Sequence, residues 1–303
     1  MKKIYDIVII GSGPAGISAA IYAARASLSV IIIEQAVYGG KLSKTYEIEN
    51  YPGVERISGV ELAQKFVDQV KNFNVEIVTG SVNKLEKNEY IHVYTSNGKV
   101  FKAKNVIVAT GADENKLELE NADSFTGRGI SYCAVCDGFF YRKKDVVVIG
   151  GGNSALEEAL YLASICNSVT IIIRRDVFRA DKTVVDKILN NPKIKVIYKS
   201  LPNRLIIEDD ILKGLEIINV DNKEVQTISC AGIFPYIGQS ANTSFLDSSI
   251  LDEKGYIITN PDMSTAIEGI YAAGDVIAKQ LRQVVTASND GAIAANTIIN
   301  KTH

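Results

Sequence analysis

Residues 6–34, DIVIIGSGPAGISAAIYAARASLSVIIIE, align without a gap on residues 145–173, DVVVIGGGNSALEEALYLASICNSVTIII. Each copy holds a β-branched run, a glycine-rich turn, an Ala/Leu-rich helical stretch and a second β-branched run, which is a βαβ unit written twice. This duplication sets the fold class as α/β. A chain of 303 residues is long enough for about two domains, each with its own core.

The two turns read Gly11-Ser12-Gly13-Pro14-Ala15-Gly16 and Gly150-x-Gly152-Asn153-Ser154-Ala155. In such a turn the first glycine permits the tight bend from strand to helix. The second lets backbone approach a pyrophosphate, and the small third residue lets helix and strand pack closely. The helix start adds unpaired N–H groups and a positive dipole end. One glycine fingerprint alone is weak, but two in register, each inside a complete βαβ unit, point to two Rossmann-like dinucleotide-binding domains.

The copies differ at the end of the second strand. The first carries Glu34, placed to accept hydrogen bonds from a ribose 2′-OH, which suits an adenosine without a 2′-phosphate, as in FAD or NAD. The second carries Ile173 there, followed by Arg174, Arg175 and Arg179 in RRDVFR. No carboxylate repels a 2′-phosphate at that end, and guanidinium groups can clamp one bidentately, so this copy suits NADP(H). The bland alternative is a solvated arginine cluster.

Further along, KNVIVATG ends in Thr110 and Gly111, and GIYAAGD ends in Gly274 and Asp275, each a short strand running into a turn. Asp275 is a candidate for a ribityl hydroxyl, its ordinary alternative being a turn or cap residue. RQVVTASNDGAIAANTIIN then reads as a helix whose start faces a ligand. Polar, turn-rich stretches flank the second βαβ unit, which predicts one domain inserted in another: residues 1–113 and 242–303 for FAD, and 114–241 for NADPH. The net charge of −2 gives no reason to expect nucleic acid or an anionic membrane surface as a partner. The basic start followed by an apolar run resembles a signal peptide, but GSGPAG cuts the run short and the same pattern recurs deep in the chain. The expectation is a cytoplasmic protein with no membrane span.

SYCAVCDGFF places Cys133 and Cys136 three residues apart. Zinc needs about four ligands, and neither histidine, His92 or His303, stands at metal-site spacing, so no metal is expected. A structural bridge over so short a loop stabilises little. A redox dithiol is the best use of the spacing, because such a pair can close a disulfide and lower the pKa of one thiol. Asp137, next to Cys136, is the local proton donor, or else the first residue of an Asp-Gly turn. Cys166 and Cys230 read as small buried hydrophobes.

The motifs GSGPAG, YGGKLS, IENYPG, VIVATG, GRGISYCAVCDG, VVVIGGGNSALEEA, RRDVFRA, GIFPYIGQSANT, GIYAAGDV and RQVVTASNDGAIAA, in that order, make the chain similar to the low-molecular-weight thioredoxin reductases of bacteria. The resemblance implies two three-layer ββα domains and a homodimer that reduces thioredoxin. It implies FAD on the Gly11–Gly16 turn, Glu34, Gly40, Lys41, Leu42, Asn50, Asp275, Arg282, Gln283 and Val284. It implies NADPH on Gly152, Asn153, Ser154 and Ala155, with the three arginines at the 2′-phosphate. Cys136 is then the sulfur on the flavin side, Cys133 the one that attacks thioredoxin, and Asp137 the acid. A rotation between the two domains is implied as well. The chain departs from the family pattern at Ile173 and Gln239, where histidine is usual, and at Pro235, inside an expected strand. Alternatives are the same dithiol flavoenzyme fed by ferredoxin or another donor, and a ferredoxin–NADP reductase-like flavoprotein with incidental cysteines.

Overall fold

The structure is a computed structural model that describes residues 3–45 and 48–302. The chain opens with β1 (Ile4–Ile10), α1 (Pro14–Arg25), β2 (Val30–Glu34), α2 (Gly59–Lys71), β3 (Glu76–Thr79), β4 (Val82–Lys87), β5 (Ile91–Thr95), β6 (Val100–Val108) and β7 (Ala112–Glu114). It continues with α3 (Ala134–Asp137), β8 (Asp145–Ile149), α4 (Asn153–Ile165), β9 (Ser168–Ile172), α5 (Lys182–Leu189), β10 (Ile194–Ile197), β11 (Ser200–Glu208), β12 (Ile211–Asn219), β13 (Val225–Ser229) and β14 (Gly232–Pro235). β15 (Gln239–Ala241), β16 (Ile270–Ala272) and α6 (Val284–Thr302) complete it. Two compact units result, Met1–Asp113 with Ser240–His303, and Glu114–Gln239. The return crossing falls two residues before the expected point. Asn242 is already fastened to the first unit, its N–H donating to Gly111 O (3.0 Å) and its Nδ2 to Thr110 O (3.2 Å).

In the first unit the strands run β3-β2-β1-β6-β5-β4, with β16 also on β6. β6 carries two layers at once. Its first half pairs antiparallel with β5, while its second half pairs parallel with β16 and β1 runs parallel along most of its length. The parallel strands are near-continuous β-branched runs because both their faces are covered, and Val8, Ile9, Ile32, Val106 and Ile107 have no exposed surface. In the second unit the layers are separate sheets, a parallel one ordered β10-β9-β8-β14 and an antiparallel one ordered β11-β12-β13.

The repeat persists at the level of register. Ile7 faces Val30 and Ile10 faces Ile33 in the first copy; Val146 faces Val169 and Ile149 faces Ile172 in the second. It also persists in a polar staple at the strand starts. Ser29 donates its N–H (2.8 Å) and its hydroxyl (2.7 Å) to Asp6 Oδ2. Ser168, the equivalent residue, donates its hydroxyl to Asp145 Oδ1 at 2.6 Å. Such a carboxylate fixes the start of the parallel pair before the apolar run begins.

Pro235 does not interrupt a strand, as expected from the sequence, but ends one: it is the last residue of β14. Ile233, two residues earlier, turns its N–H away from β8 to Gly129 O, and Pro235 has the same parity, so its missing donor costs no ladder bond. Ile173 is 3% exposed and packs beside Gly151, whose Cβ, if present, would lie 3.2 Å from Ile173 Cγ2.

Burial pushes the Asp6 carboxyl up, but the bonds from Lys104 and Ser29 outweigh it and hold the group below the usual carboxylate range. Its contribution to stability is therefore present above the unfolded pKa of about 4 and is lost as pH falls through the lower folded value. Asp6→Asn is expected to lower stability by about 1 kcal/mol at neutral pH, with the deficit shrinking as pH falls below the unfolded pKa of about 4. Denaturant unfolding at the two pH values measures it.

Candidate active site

Cys133 and Cys136 are joined as a disulfide, with Cα atoms 5.3 Å apart. The pair straddles the first turn of α3. Cys133 is the N-cap in extended conformation, and the Cys136 N–H donates to Cys133 Sγ at 3.1 Å. Asp137 closes the same turn, its N–H on Cys133 O at 3.1 Å, and a 3-10 turn beginning at Gly138 follows. Its carboxylate accepts from the Ser131 hydroxyl (2.7 Å), and Ser131 Oγ in turn accepts the Cys133 N–H (3.1 Å). Asp137 is thus linked to the disulfide loop through one serine. Cys136 is exposed and Cys133 half-buried, and the next two apolar side chains, Phe139 and Phe140, are 69% and 71% exposed.

Sequence reasoning passed over Ser131 and Tyr236. The Tyr236 hydroxyl accepts the Ala134 N–H at 3.1 Å across 102 residues of chain. Ser131 lies within the cysteine motif and was open to notice; a contact as distant as Tyr236 leaves no local signal.

The first glycine turn is assembled by direct backbone contact: a Cβ on Gly16 would meet Gly11 O at 2.0 Å. Above Gly13 the space is open, with nothing among the described residues within 4 Å of a Cβ there. Glu34, 7% exposed, holds this turn, Oε2 accepting the Ser12 N–H (2.7 Å) and hydroxyl (2.8 Å). Its Oε1 accepts the Ala36 N–H at 2.9 Å. Gly40 comes against the turn, while the Leu42 side chain points into a small apolar cluster with Ile48, Ile57 and Leu62. Asn50 Nδ2 donates to Gln283 Oε1 (3.1 Å), so two residues 233 apart in sequence meet.

β16 ends beside the same turn, where a Cβ on Gly274 would fall 2.8 Å from Ala15 Cβ. Asp275 Oδ1 is enclosed and has no hydrogen-bond partner among the described residues, and burial raises its carboxyl against the pull of Lys279, Lys41 and Arg282. Arg282 donates to the carbonyls of Asp275 (3.3 Å) and Ile277 (3.2 Å) and lies 4.3 Å from the Tyr256 ring centre. Val284 is the first residue of α6. A further pair, unread in the sequence, stiffens this corner: Asp290 Oδ2 accepts from Lys279 Nζ (2.6 Å) and from the Gly274 N–H (3.1 Å). Thr110 donates to Asn242 O at 2.8 Å.

The second glycine turn has the same construction. Gly150 has φ 142°, and a Cβ there would lie 2.3 Å from Tyr236 O. Gly152 has only Arg179 O near, at 3.9 Å, and Asn153 begins α4. The arginine segment is strapped over this turn. The Arg179 N–H donates to Gly151 O (2.7 Å), while Asn153 and Asp181 exchange two bonds of 3.1 and 2.8 Å. Asn153, expected to meet a nucleotide, here acts as a strut. Ser154 is exposed, Ala155 is buried, and Arg174, Arg175 and Arg179 are exposed with no ion pair among the described residues.

Among the metal candidates His303 lies outside the described residues, and His92 sits on β5. Cys166 and Cys230 are buried; burial pushes their thiols up to about 11 and about 12.

The model of the pyridine nucleotide-disulphide oxidoreductase family matches residues 5–291. A thioredoxin reductase from Listeria monocytogenes is 40% identical over 294 residues, 97% of this chain and 92% of that one. The chain belongs to this family, among its thioredoxin reductases. The solved thioredoxin reductase of Lactococcus lactis is 42% identical with a TM-score of 0.95, covering 98% of this chain and 99% of that one. A ferredoxin-flavin thioredoxin reductase from Clostridium acetobutylicum is 32% identical with a TM-score of 0.55, covering 100% and 99%.

Thiol titration follows from the burial pattern. After mild reduction, the native protein is expected to show two fast-reacting thiols, Cys133 and Cys136, and full denaturant should raise the count to the four in the sequence. A third fast thiol in the native protein contradicts the inert reading of Cys166 and Cys230.

Proposed function

We propose that this chain is an NADPH-dependent, FAD-containing thioredoxin reductase whose outlet is the Cys133–Cys136 pair. The observation that carries the reading is one compact unit holding both a disulfide and a glycine turn flanked by three exposed arginines free of ion pairs among the described residues. FAD, when bound, supplies the relay of an electron pair from the pyridine nucleotide to the disulfide.

The residues fit both nucleotides. In the first unit, the open space over Gly13 admits a pyrophosphate, and the unpartnered Asp275 Oδ1 suits a ribityl hydroxyl. Glu34 keeps lone pairs on Oε1 beyond the one used by Ala36. Around these stand Ser12, Pro14, Ala15, Gly40, Lys41, Leu42, Asn50, Thr110, Gly111, Gly274, Arg282, Gln283 and Val284, with Leu42 contributing backbone. In the second, Gly152, Asn153, Ser154 and Ala155 receive the NADPH pyrophosphate, and Arg174, Arg175 and Arg179 its 2′-phosphate. Three unpaired guanidinium groups favour this donor over ferredoxin.

Reduction of the disulfide by two electrons leaves two sulfurs. Cys133 Sγ, already accepting the Cys136 N–H, is the better stabilised thiolate. It attacks the thioredoxin disulfide: a bond forms between Cys133 and one partner sulfur, the partner S–S bond breaks, and the second partner sulfur leaves as a thiolate and takes a proton. Cys136 then attacks Cys133 Sγ, which re-forms the disulfide and releases reduced thioredoxin. Asp137 exchanges the proton at Cys136 Sγ, its carboxylate held by Ser131. Phe139 and Phe140 offer an exposed apolar edge where thioredoxin docks. The same reading carries a cytoplasmic homodimer; no helix among the described residues is long and apolar enough to cross a membrane.

Flavin absorbance in the purified protein and its bleaching by NADPH, NADH or reduced ferredoxin in stopped flow test the donor. Cys133→Ser and Cys136→Ser are each expected to abolish thioredoxin reduction while leaving flavin bleaching by NADPH intact. Arg175→Ala is expected to cut the preference for NADPH over NADH by about 10–100-fold, the worth of a charged hydrogen bond. Faster bleaching by reduced ferredoxin than by NADPH overturns the donor assignment.

A further inference from the structure

Ala134 is fully buried, at 0% exposure, so its N–H cannot turn to water and depends on the Tyr236 hydroxyl. α3 is a single turn of four residues, closed by two backbone bonds, the Asp137 N–H on Cys133 O and the Gly138 N–H on Ala134 O. Tyr236, by contrast, is rigidly placed. Its N–H donates to Ile149 O at 2.7 Å at the end of β8, and its carbonyl lies against Gly150, where a Cβ would meet it at 2.3 Å. One residue therefore stands with its backbone on the nucleotide turn and its side chain on the disulfide loop. Burial raises its phenol far above the ordinary range, so the group stays neutral and serves as a hydrogen-bonding strut.

We infer that Tyr236 is a positioning residue for the dithiol: its phenol oxygen, fixed by the end of the nucleotide sheet, holds the Ala134 N–H and so keeps the Cys136 N–H aimed at Cys133 Sγ. The inference rests on the proposed reading of Cys133 as the attacking sulfur. After reduction, that N–H···S bond is a support for its thiolate from the loop's own backbone. A loop released from Tyr236 leaves the buried Ala134 N–H without a partner and the turn free to open. The thiolate then loses its donor and with it part of its population at neutral pH.

The test uses the full-length protein with flavin bound. Tyr236→Phe keeps the ring and removes the hydroxyl. Flavin content and flavin bleaching by NADPH serve as folding controls. Iodoacetamide alkylation of the reduced enzyme at neutral pH is expected to slow by about three- to tenfold, the range of one lost neutral hydrogen bond. The kcat for thioredoxin should fall by a like factor with KM unchanged, and amide exchange at Ala134 should accelerate. If Tyr236→Phe does not fold, 3,5-difluorotyrosine at position 236, a weaker acceptor of the same shape, should give a smaller slowing in the same direction. Alkylation at the parent rate, with or without loss of flavin, assigns Tyr236 a merely structural role and overturns the inference. Alkylation and amide exchange need neither NADPH nor thioredoxin. A protein that reduces no thioredoxin yet shows the slowed alkylation removes the proposed function and leaves the positioning role standing.

Discussion

Backbone lying directly on backbone at the two glycine turns is the constraint that the rest of this structure depends on. A Cβ on Gly16 would meet the Gly11 carbonyl at 2.0 Å, and one on Gly150 would meet the Tyr236 carbonyl at 2.3 Å. Neither approach tolerates a side chain; the first brings a helix start down onto a strand end, and the second packs the ends of two neighbouring strands, β8 and β14, together. Once the helix start is fixed, its free N–H groups face an open space, as above Gly13. The neighbouring chain ends, Glu34 and Asp275 in one unit and the arginine segment in the other, then have a defined place to converge.

Polar pairs surround each turn and do a second job. Glu34 ties Ser12 down, Asn153 and Asp181 strap the arginine segment, and Asp290 holds Gly274 and Lys279. Each of these bonds adds little net stability, but at the buried ones, Glu34 with Ser12 and Asp290 with Gly274, a partner lost leaves a desolvated group behind. They make the sites rigid before any nucleotide arrives, which lowers the ordering cost of binding. The disulfide loop is built to the same rule, with Ser131 on one side and Tyr236 on the other.

Much of this was legible in the sequence because its signals are local. The glycine turns, the β-branched runs and the cysteine spacing each occupy a few adjacent residues, and the gapless repeat reappears as matching strand register in both units. Pro235 misled for a local reason as well: a proline in an apolar run looks like a break, and only the direction of the Ile233 N–H shows that a strand can end there without loss. Their positions in the motif mark Glu34 and Asn153 as ligand groups, while their partners within the protein, Ser12 and Asp181, lie 22 and 28 residues away in sequence.

The sequence by itself determined the α/β class, the duplicated nucleotide unit, the pairing of Cys133 with Cys136 as the natural redox centre and the family to which the chain belongs. Each of these depends on spacing along the chain, which folding does not alter. Only the tertiary structure decided that Tyr236 supports the disulfide loop, that Asn50 meets Gln283 and that Asp275 is left with an unpartnered oxygen. Those facts depend on side chains brought together from far apart in sequence, in positions set by packing of whole strands and helices, and no local pattern encodes them.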